Sequence, residues 1–514
     1  MGRAAASRQP PAARRMSGVT DVAGFAGIVA IVSAAVLAAL LSSRLSELLR
    51  VPAPAVFLLT ASVVSDLFPA LSRVPVLTVQ RVITVALLVL LFDGGMHIGW
   101  RRFRSAAGAV LGIGVAGTLV TAVGLAVLAH ALFGFSWAAA LLLGMALAPT
   151  DPAVVFSVLG RREIGGRTGT LLEGESGAND PVGIAAMAAL LAAGTAGGWR
   201  SVGHGVGEFA VEMVVGAAVG LAGGYGLAVL MRRVALPSAT LYPLRTLAAA
   251  GGIYGVATVA HGSGFLAVFI AGILVGDLNA PYKAEITRFH ASVASLAEIV
   301  AFAMLGLTVS LHRLADGNAW LIGLALAGLL TILVRPVLVG LLLLAARLSP
   351  GERVFVMWSG LKGAVPILLG TFILTSGRAE ADRLYQIIVV AVAFSVIVQG
   401  GLVPTVARLT GVPMRTVEPE PWSLGVRFQN EPSGLRRYLI TAGAPADGCT
   451  IANLALSEGA WISVVSRGGN LVPVHGATTL QAGDEVLLLA DPESTPDPAP
   501  LFVSAAAASP TAAP

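Results

Sequence analysis

The sequence predicts an all-α polytopic membrane protein with about 13 transmembrane helices, followed by a small cytosolic α+β domain. Of the 514 residues, 56% are hydrophobic and only 12% are charged, and the mean hydropathy is +0.84. Apolar runs of about 20 residues, the length that crosses a bilayer, recur along most of the chain. After Gly411 the composition becomes mixed polar and apolar, which indicates that the membrane region ends there.

The apolar runs define the predicted spans. A secretory signal peptide is not expected, because the first apolar segment is long and many others follow it. Residues 1–20 are basic and are expected to form a disordered tail. Residues 21–410 form the predicted membrane domain, with spans at residues 24–43, 53–70, 81–98, 106–132, 137–159, 174–195, 207–231, 244–261, 264–277, 293–311, 319–346, 353–375 and 385–408.

Basic residues in the loops predict the orientation. Alternate loops carry most of the arginines and lysines, as at Arg101, Arg102 and Arg104, and loops of this kind remain in the cytoplasm. The N-terminus is then outside and the C-terminal domain inside the bacterial inner membrane, although the basic tail opposes this orientation. Because topology accounts for the net charge of +5, no nucleic-acid partner is expected. The single cysteine, Cys449, excludes an intramolecular disulfide.

Two spans contain helix-breaking residues. Residues 149–152 read Pro-Thr-Asp-Pro, and residues 360–366 read Gly-Leu-Lys-Gly-Ala-Val-Pro. If spans 1–6 and 8–13 are inverted repeats, these breaks occupy equivalent positions. Matched breaks in two inverted halves predict a transport site near the middle of the membrane.

Acidic and hydroxyl groups near the first break predict a cation site. Ser176 and Asp180 are four residues apart and share a helix face, while Thr150 and Asp151 lie at the break. Their oxygen ligands suit Na⁺ or K⁺. A buried carboxylate that binds either a proton or a cation gives exchange. The alternatives are a helix-terminal charge for Asp180 before Pro181, a capping carboxylate for Asp151, and a packing role for Ser176.

Other charged groups lie within predicted spans. Glu175 is off the Ser176/Asp180 face and is expected to form a structural ion pair with Lys362 or Arg335, the alternative being a direct part in transport. Asp93 either lines the cation path or is hydrogen-bonded at a helix kink. No cofactor site, transition-metal cluster or phosphate-binding loop is predicted, so neither enzymatic chemistry nor ATP-driven transport is expected.

The C-terminal region predicts a small domain over residues 423–492, joined by a linker at 411–422. Strands are expected at residues 435–442, 461–466 and 485–489, with a short helix at 451–457. Glycine-containing turns at 467–470 and 482–484 separate the strands. Residues 493–514 are rich in alanine and proline and are expected to be disordered.

Four motifs together resemble the NhaP-type branch of the monovalent cation:proton antiporters. They are Leu-Phe-Asp-Gly-Gly at 91–95, Thr-Asp-Pro at 150–152, Gly-Glu-Ser-Gly-Ala-Asn-Asp at 174–180 and Gly-Leu-Lys-Gly-Ala at 360–364. The resemblance covers roughly residues 20–410, and the motifs occur in the family's order. It implies a 13-span fold with a six-helix core, a homodimer, and an elevator-like movement of the core.

The resemblance also implies residue roles. Asp180 would be the carboxylate shared by proton and cation, and a single acid in an Asn-Asp pair implies electroneutral exchange. Two departures are Asp93, where sodium-selective members often have glutamate, and Lys362, where arginine is usual. The other implied roles are orientation of Asp180 by Asn179, completion of the site by Ser176, Asp151 and the Thr150 main chain, and a basic partner for Glu175.

The C-terminal domain resembles the TrkA-C or RCK-C regulatory module, through motifs such as Gly-Ala-Trp-Ile-Ser at 459–463 and Ala-Gly-Asp-Glu-Val at 482–486. Antiporters with this module resemble potassium:proton antiporters, so K⁺ is the favoured substrate and Na⁺ the alternative. The module would bind a small cytosolic ligand or act as a dimerisation cap. The predicted roles are potassium, pH and osmotic homeostasis.

Two other functional classes compete with antiport. A cation channel gated by the module lacks the expected Thr-Val-Gly-Tyr-Gly filter sequence. A membrane sensor without ion flux would not need buried carboxylates.

Overall fold

A computed structural model describes most of the chain. Nearly all of the predicted first span and the whole predicted N-terminal tail lie outside the described residues. The described residues are 26, 37, 52–68, 74–159, 162–164, 166–193, 199–312, 318–346, 348–378, 380–416, 435–456, 459–468, 470–490 and 498–503. The chain divides into two compact units, residues 1–419 and 420–514.

The first unit is almost entirely helical. Three π-helical segments, Gly112–Gly117, Leu330–Val339 and Ser395–Gln399, interrupt the α-helices of the described residues. The helices are α1 Ala53–Leu67, α2 Val76–Leu111, α3 Thr118–Phe133, α4 Trp137–Leu147, α5 Pro152–Leu159, α6 Gly166–Ala193, α7 Trp199–Arg233, α8 Leu241–Val259, α9 Gly264–Gly276, α10 Lys283–Gly306, α11 Ala319–Leu329, α12 Gly340–Leu343, α13 Pro350–Trp358, α14 Ala364–Thr375, α15 Ala381–Phe394 and α16 Val403–Thr410.

Several of these helices can cross a bilayer. Within the described residues, six helical stretches are long and apolar enough to do so, and three shorter apolar helices accompany them. The helices pack closely: α9 contacts α2 and α7, and α10 contacts α1 and α2. The predicted class, a mostly helical polytopic protein, is therefore correct.

Both predicted helix breaks are present. The helix α4 ends at Leu147 and α5 begins at Pro152, while α13 ends at Trp358 and α14 begins at Ala364. The breaks are adjacent in space, because the Asp151 backbone N–H donates to the Leu361 carbonyl at 2.8 Å.

The helix that carries the second acidic cluster is continuous. The sequence predicted a span beginning near residue 174, but α6 begins at Gly166 and runs to Ala193, with Pro181 in its interior. Asp180 is therefore in mid-helix, and its alternative role as a helix-terminal charge is wrong. Most of this helix is buried among its neighbours, an environment in which a membrane helix tolerates an interior proline.

The loop predicted between the third and fourth spans is helical in the structure, except at one residue. α2 continues from Val76 to Leu111, with non-helical geometry only at Gly99, where φ is 66°. This left-handed conformation favours glycine. The carboxylate of Asp277 accepts a hydrogen bond from the Arg101 backbone N–H at 2.6 Å, so it caps the second part of α2.

A two-stranded antiparallel sheet lies in the first unit and was not predicted. Strand β1, Arg162–Ile164, pairs with β2, Met414–Thr416. It links the segment between α5 and α6 to the segment that follows α16.

The second unit contains a four-stranded antiparallel sheet. Its strands are β3 Leu435–Leu439, β4 Ala460–Arg467, β5 Asn470–Val472 and β6 Glu485–Ala490. They lie in the order β3-β6-β4-β5, and the core of the unit includes Val465, Val486, Leu488 and Phe502.

Three details of this unit differ from the prediction. The helix expected at 451–457 is only a 3₁₀ turn, Ile451–Asn453, because the backbone N–H groups of Ile451 and Ala452 donate to carbonyls of residues 478 and 476. Strand β5 occupies part of a predicted loop. The tail expected to be disordered from residue 493 contains a short helix, α17 Ala499–Phe502, because Phe502 is buried and stacks on Tyr438 with ring centroids 4.9 Å apart.

Candidate functional site

The two breaks expose four helix ends to one another. The last carbonyls of α4 and α13 carry partial negative charge, and the first N–H groups of α5 and α14 carry partial positive charge. In a water-poor interior these ends need polar partners. The charged side chains predicted from the sequence supply them.

Lys362 caps the C-terminal end of α4. It lies in the second break, and its Nζ donates to the carbonyls of Ala148 and Pro149 at 3.0 Å each. The side chain is almost fully buried, with 2% of its surface exposed. Each break is therefore bonded to the other through both Lys362 and the Asp151 backbone.

Arg335 caps the C-terminal end of α13 in the same way. Its Nε donates to the Met357 carbonyl at 2.9 Å, and its Nη2 donates to the Val356 carbonyl at 3.2 Å. The same Nη2 lies 2.8 Å from Glu175 Oε1, with both side chains at most 4% exposed. Of the two partners expected for Glu175, Arg335 makes the contact, while Lys362 bonds to the main chain.

Asp151 lies at the N-terminal ends of two helices. Its Oδ1 accepts a hydrogen bond from the Ala153 N–H at 2.9 Å, at the start of α5. Its Oδ2 lies against Gly363, the residue before α14, and a Cβ at Gly363 would overlap that oxygen. A Cβ at Gly360 would likewise overlap the Arg335 guanidinium. The two glycines of the Gly-Leu-Lys-Gly motif thus leave room for one acid and one base.

Thr150 and Asn179 join the first break to α6. The Asn179 amide donates from Nδ2 to Thr150 Oγ1 at 2.7 Å, and Thr150 Oγ1 lies 3.4 Å from Glu175 Oε1. Asn179 Oδ1 is buried and has no hydrogen-bond partner among the described residues. A buried acceptor without a partner is costly, so this oxygen is available to a ligand.

Asp180 and Ser176 lie on neighbouring turns of α6 and are 7% and 6% exposed. Asp180 is close enough to Asp151 and Lys362 to interact with both electrostatically. The site therefore combines two carboxylates and one ammonium with polar oxygens from Thr150 and Asn179.

Asp93 forms a separate pair within α2. His97 Nδ1 lies 3.3 Å from Asp93 Oδ2, and the His97 side chain is 49% exposed. Asp93 Oδ1 is buried without a hydrogen-bond partner in the part of the chain that the structure describes. His97 lies two residues before Gly99, where α2 has non-helical geometry. Within that same part, no hydrogen bond or ion pair joins Asp93 directly to the Asp180 site.

Sequence reasoning missed the helix-capping contacts of Lys362 and Arg335. The sequence did contain an indication of these contacts. Lys362 and Arg335 are basic residues within apolar spans, and the helix breaks supply carbonyl groups that need donors. It also missed Ser395 and Gln399, which contact the second break. Their position at the end of a long apolar run gave no polar pattern to recognise.

Comparison with known proteins identifies the membrane region. Residues 17–409 match the family model described as "Sodium/hydrogen exchanger, transmembrane", and residues 435–497 match the TrkA-C domain. The chain is 32% identical over 430 residues to the K⁺/H⁺ antiporter NhaP of Alkalimonas amylolytica, which covers 82% of this chain and 74% of that protein.

Other relatives extend the comparison. The K⁺/H⁺ antiporter NhaP2 of Shewanella oneidensis is 31% identical over 423 residues, covering 81% of this chain and 73% of that protein. The fold is similar to that of the sodium proton antiporter MjNhaP1 from Methanocaldococcus jannaschii. That similarity has a TM-score of 0.63 at 20% identity and covers 74% of this chain and 98% of the other.

Proposed function

Since the chain belongs to the transmembrane sodium/hydrogen exchanger family and is a cation/proton antiporter of the NhaP type, we propose that it exchanges K⁺ for H⁺ across the bacterial inner membrane, electroneutrally. The preference for K⁺ is supported by the relatives named as K⁺/H⁺ antiporters and by the TrkA-C domain. Na⁺ is the alternative substrate, because a 27% identical relative from Aphanothece halophytica is named as a Na⁺/H⁺ antiporter.

The observation that carries this proposal is the buried polar site on α6 at the crossing of the two breaks. The Asp180 carboxylate is removed from water, and an unneutralised carboxylate there would be unfavourable. It is neutralised either by a proton or by a cation. Because the two ligands compete for one group, release of one accompanies binding of the other, and one proton exchanges for one monovalent cation.

The surrounding residues have different roles in this proposal. The cation ligands are oxygens of Asp180, Asp151, Ser176, Asn179 and Thr150. Asn179 Oδ1, which has no hydrogen-bond partner in the described part of the chain, supports this set. Hard oxygen ligands suit an alkali cation. Lys362, Arg335 and Glu175 fix the helix ends around them, and Asp93 lines the path to the site.

We further propose the arrangement in which this site operates. The membrane domain, residues 21–410, has about 13 spans with inverted repeats, an external N-terminus and a cytoplasmic C-terminus. It forms a homodimer in which the core moves like an elevator. Residues 423–492 act as a regulatory module that binds a small cytosolic ligand, and the antiporter serves potassium, pH and osmotic homeostasis.

Replacement of the central carboxylate tests the proposal. In everted vesicles with a pH-sensitive dye, the wild-type protein should dequench the dye on addition of K⁺, and Asp180→Asn should abolish the signal. Asp382→Asn makes the same change at an exposed position and should exchange normally. Normal exchange by Asp180→Asn at equal protein level would contradict the site. Equal responses to K⁺ and Na⁺ would contradict the potassium preference alone.

A further inference from the structure

A buried polar network contacts the residues of the second break. Its centre is the π-helical segment Ser395–Gln399, which follows α15. The side chains of Ser395 and Gln399 are 2% and 3% exposed. π-Helical turns are rare and frequently occur at functional sites, which makes this segment a candidate for a specific role.

Gln399 holds the last residue of α13 by two contacts. Its amide Nε2 donates to the Trp358 carbonyl, and the Trp358 indole Nε1 donates to the Gln399 carbonyl at 3.1 Å. The Trp358 carbonyl directly follows the two carbonyls that Arg335 caps. Gln399 therefore completes the capping of α13, which would otherwise end in the apolar interior with a carbonyl unpaired.

Ser395 holds the other side of the same break. Its Oγ accepts a hydrogen bond from the Lys362 backbone N–H at 3.0 Å and donates to Gln399 Oε1 at 2.9 Å. One hydroxyl thus joins the backbone of Lys362 to the side chain that caps α13. Gln399 Oε1 also accepts a longer contact, 3.3 Å, from Thr331 Oγ1.

We propose that Ser395 and Gln399 are positioning residues that fix residues 358–362 so that the Lys362 ammonium reaches the end of α4. The Lys362 backbone is bonded to Ser395 and its Nζ to Ala148 and Pro149, so one residue spans the two breaks. Neither positioning side chain touches the proposed cation ligands in the described contacts. They act through Lys362, and the inference rests on the proposed function.

The test compares four variants of the full-length protein. Gln399→Met and Ser395→Ala remove the two polar groups with little change in volume, Ser395→Thr keeps the hydroxyl, and Thr331→Val removes only the outer contact. The K⁺ concentration for half-maximal dye dequenching is measured in everted vesicles at equal protein level. Hydrogen–deuterium exchange of residues 359–363 is measured on the purified protein.

Gln399→Met and Ser395→Ala should each raise the half-maximal K⁺ concentration about three- to tenfold, which corresponds to the loss of one buried hydrogen bond. Both should also speed amide exchange in residues 359–363. Ser395→Thr and Thr331→Val should remain within about twofold of wild type. The combined Gln399→Met/Ser395→Ala variant should be no worse than about the stronger single change, because both act on one segment.

A fall in maximal rate with an unchanged half-maximal concentration and unchanged amide exchange would indicate a purely structural role and overturn the inference. If Gln399→Met does not fold, the comparison of Ser395→Ala with Ser395→Thr tests the inference in its place. Exchange by Asp180→Asn would refute the proposed site instead. In that case unaltered amide exchange in Gln399→Met would still refute the positioning role by itself.

Discussion

Replacing Glu175 with glutamine tests whether the buried ion pair holds the membrane unit together. Glu175 Oε1 lies 2.8 Å from Arg335 Nη2, and the two side chains are only 4% and 3% exposed. Glutamine keeps the size and an acceptor oxygen but removes the charge that compensates Arg335. Breaking a buried pair at one partner costs about 3–5 kcal/mol. Since Arg335 keeps two carbonyl partners, we expect a loss near the lower limit, about 3 kcal/mol.

A double-mutant cycle separates this pair from its surroundings. The free energy of unfolding is measured by SDS titration in mixed micelles for Glu175→Gln, Arg335→Gln and the combined variant. The combined variant carries no unpaired charge, so it should recover about 2 kcal/mol relative to the sum of the single changes. The control, Asp382→Asn, removes an exposed acid from the first turn of α15 and should cost about 0.3–1 kcal/mol. If Glu175→Gln costs no more than this control, the structural role of the pair is wrong.

Three further predictions follow from individual contacts. Gly363→Ala should reduce K⁺/H⁺ exchange at least about tenfold, because the new Cβ displaces the Asp151 carboxylate. Gly226→Ala is the control and should exchange normally, because its new Cβ would contact no other atom. Both variants are measured in the vesicle assay. Thr150→Val leaves the Asn179 amide unpaired and should raise the half-maximal K⁺ concentration about fivefold, while Thr150→Ser should not, as the same assay would reveal. In the second unit, burial alone would raise the pKa of Asp484, but hydrogen bonds from the Arg467 guanidinium and from the Gln481 backbone N–H hold this pKa below its usual value. The unfolded chain then binds the proton more tightly, so this stability is present above about pH 4 and is lost as pH falls below it. Thermal melts of the full chain, followed by Trp461 fluorescence after the other six tryptophans are replaced by phenylalanine, should show less pH dependence in Asp484→Asn.

Both helix breaks could be predicted from the sequence, because proline and glycine disfavour helix at their own positions in the chain. It also identified Glu175, Lys362 and Arg335 as buried charges that need partners. It did not identify which charge contacts which group. That choice depends on the crossing of α4 with the second break, which brings Lys362 to carbonyls more than 200 positions earlier.

Other features escaped prediction for related reasons. The sequence left open whether Pro181 begins a helix or lies inside one, since local chemistry does not reveal that neighbouring helices enclose that turn of α6. The β1–β2 ladder joins segments about 250 residues apart, and neither strand has a pattern of its own. The alanine- and proline-rich composition of residues 493–514 predicts disorder, and a single aromatic residue, Phe502, gives no pattern that would indicate a buried helix.

The amino-acid sequence by itself determined that this chain is a polytopic membrane protein with two helix-breaking motifs, an acid at the first and a lysine at the second. Hydropathy and helix breaking are properties of short segments, so they can be read locally. Only the tertiary structure decided that Lys362 caps α4, that Arg335 joins α13 to Glu175, and that Ser395 supports the second break. These contacts arise from the packing of distant helices, in an interior where every charge and helix end requires a partner.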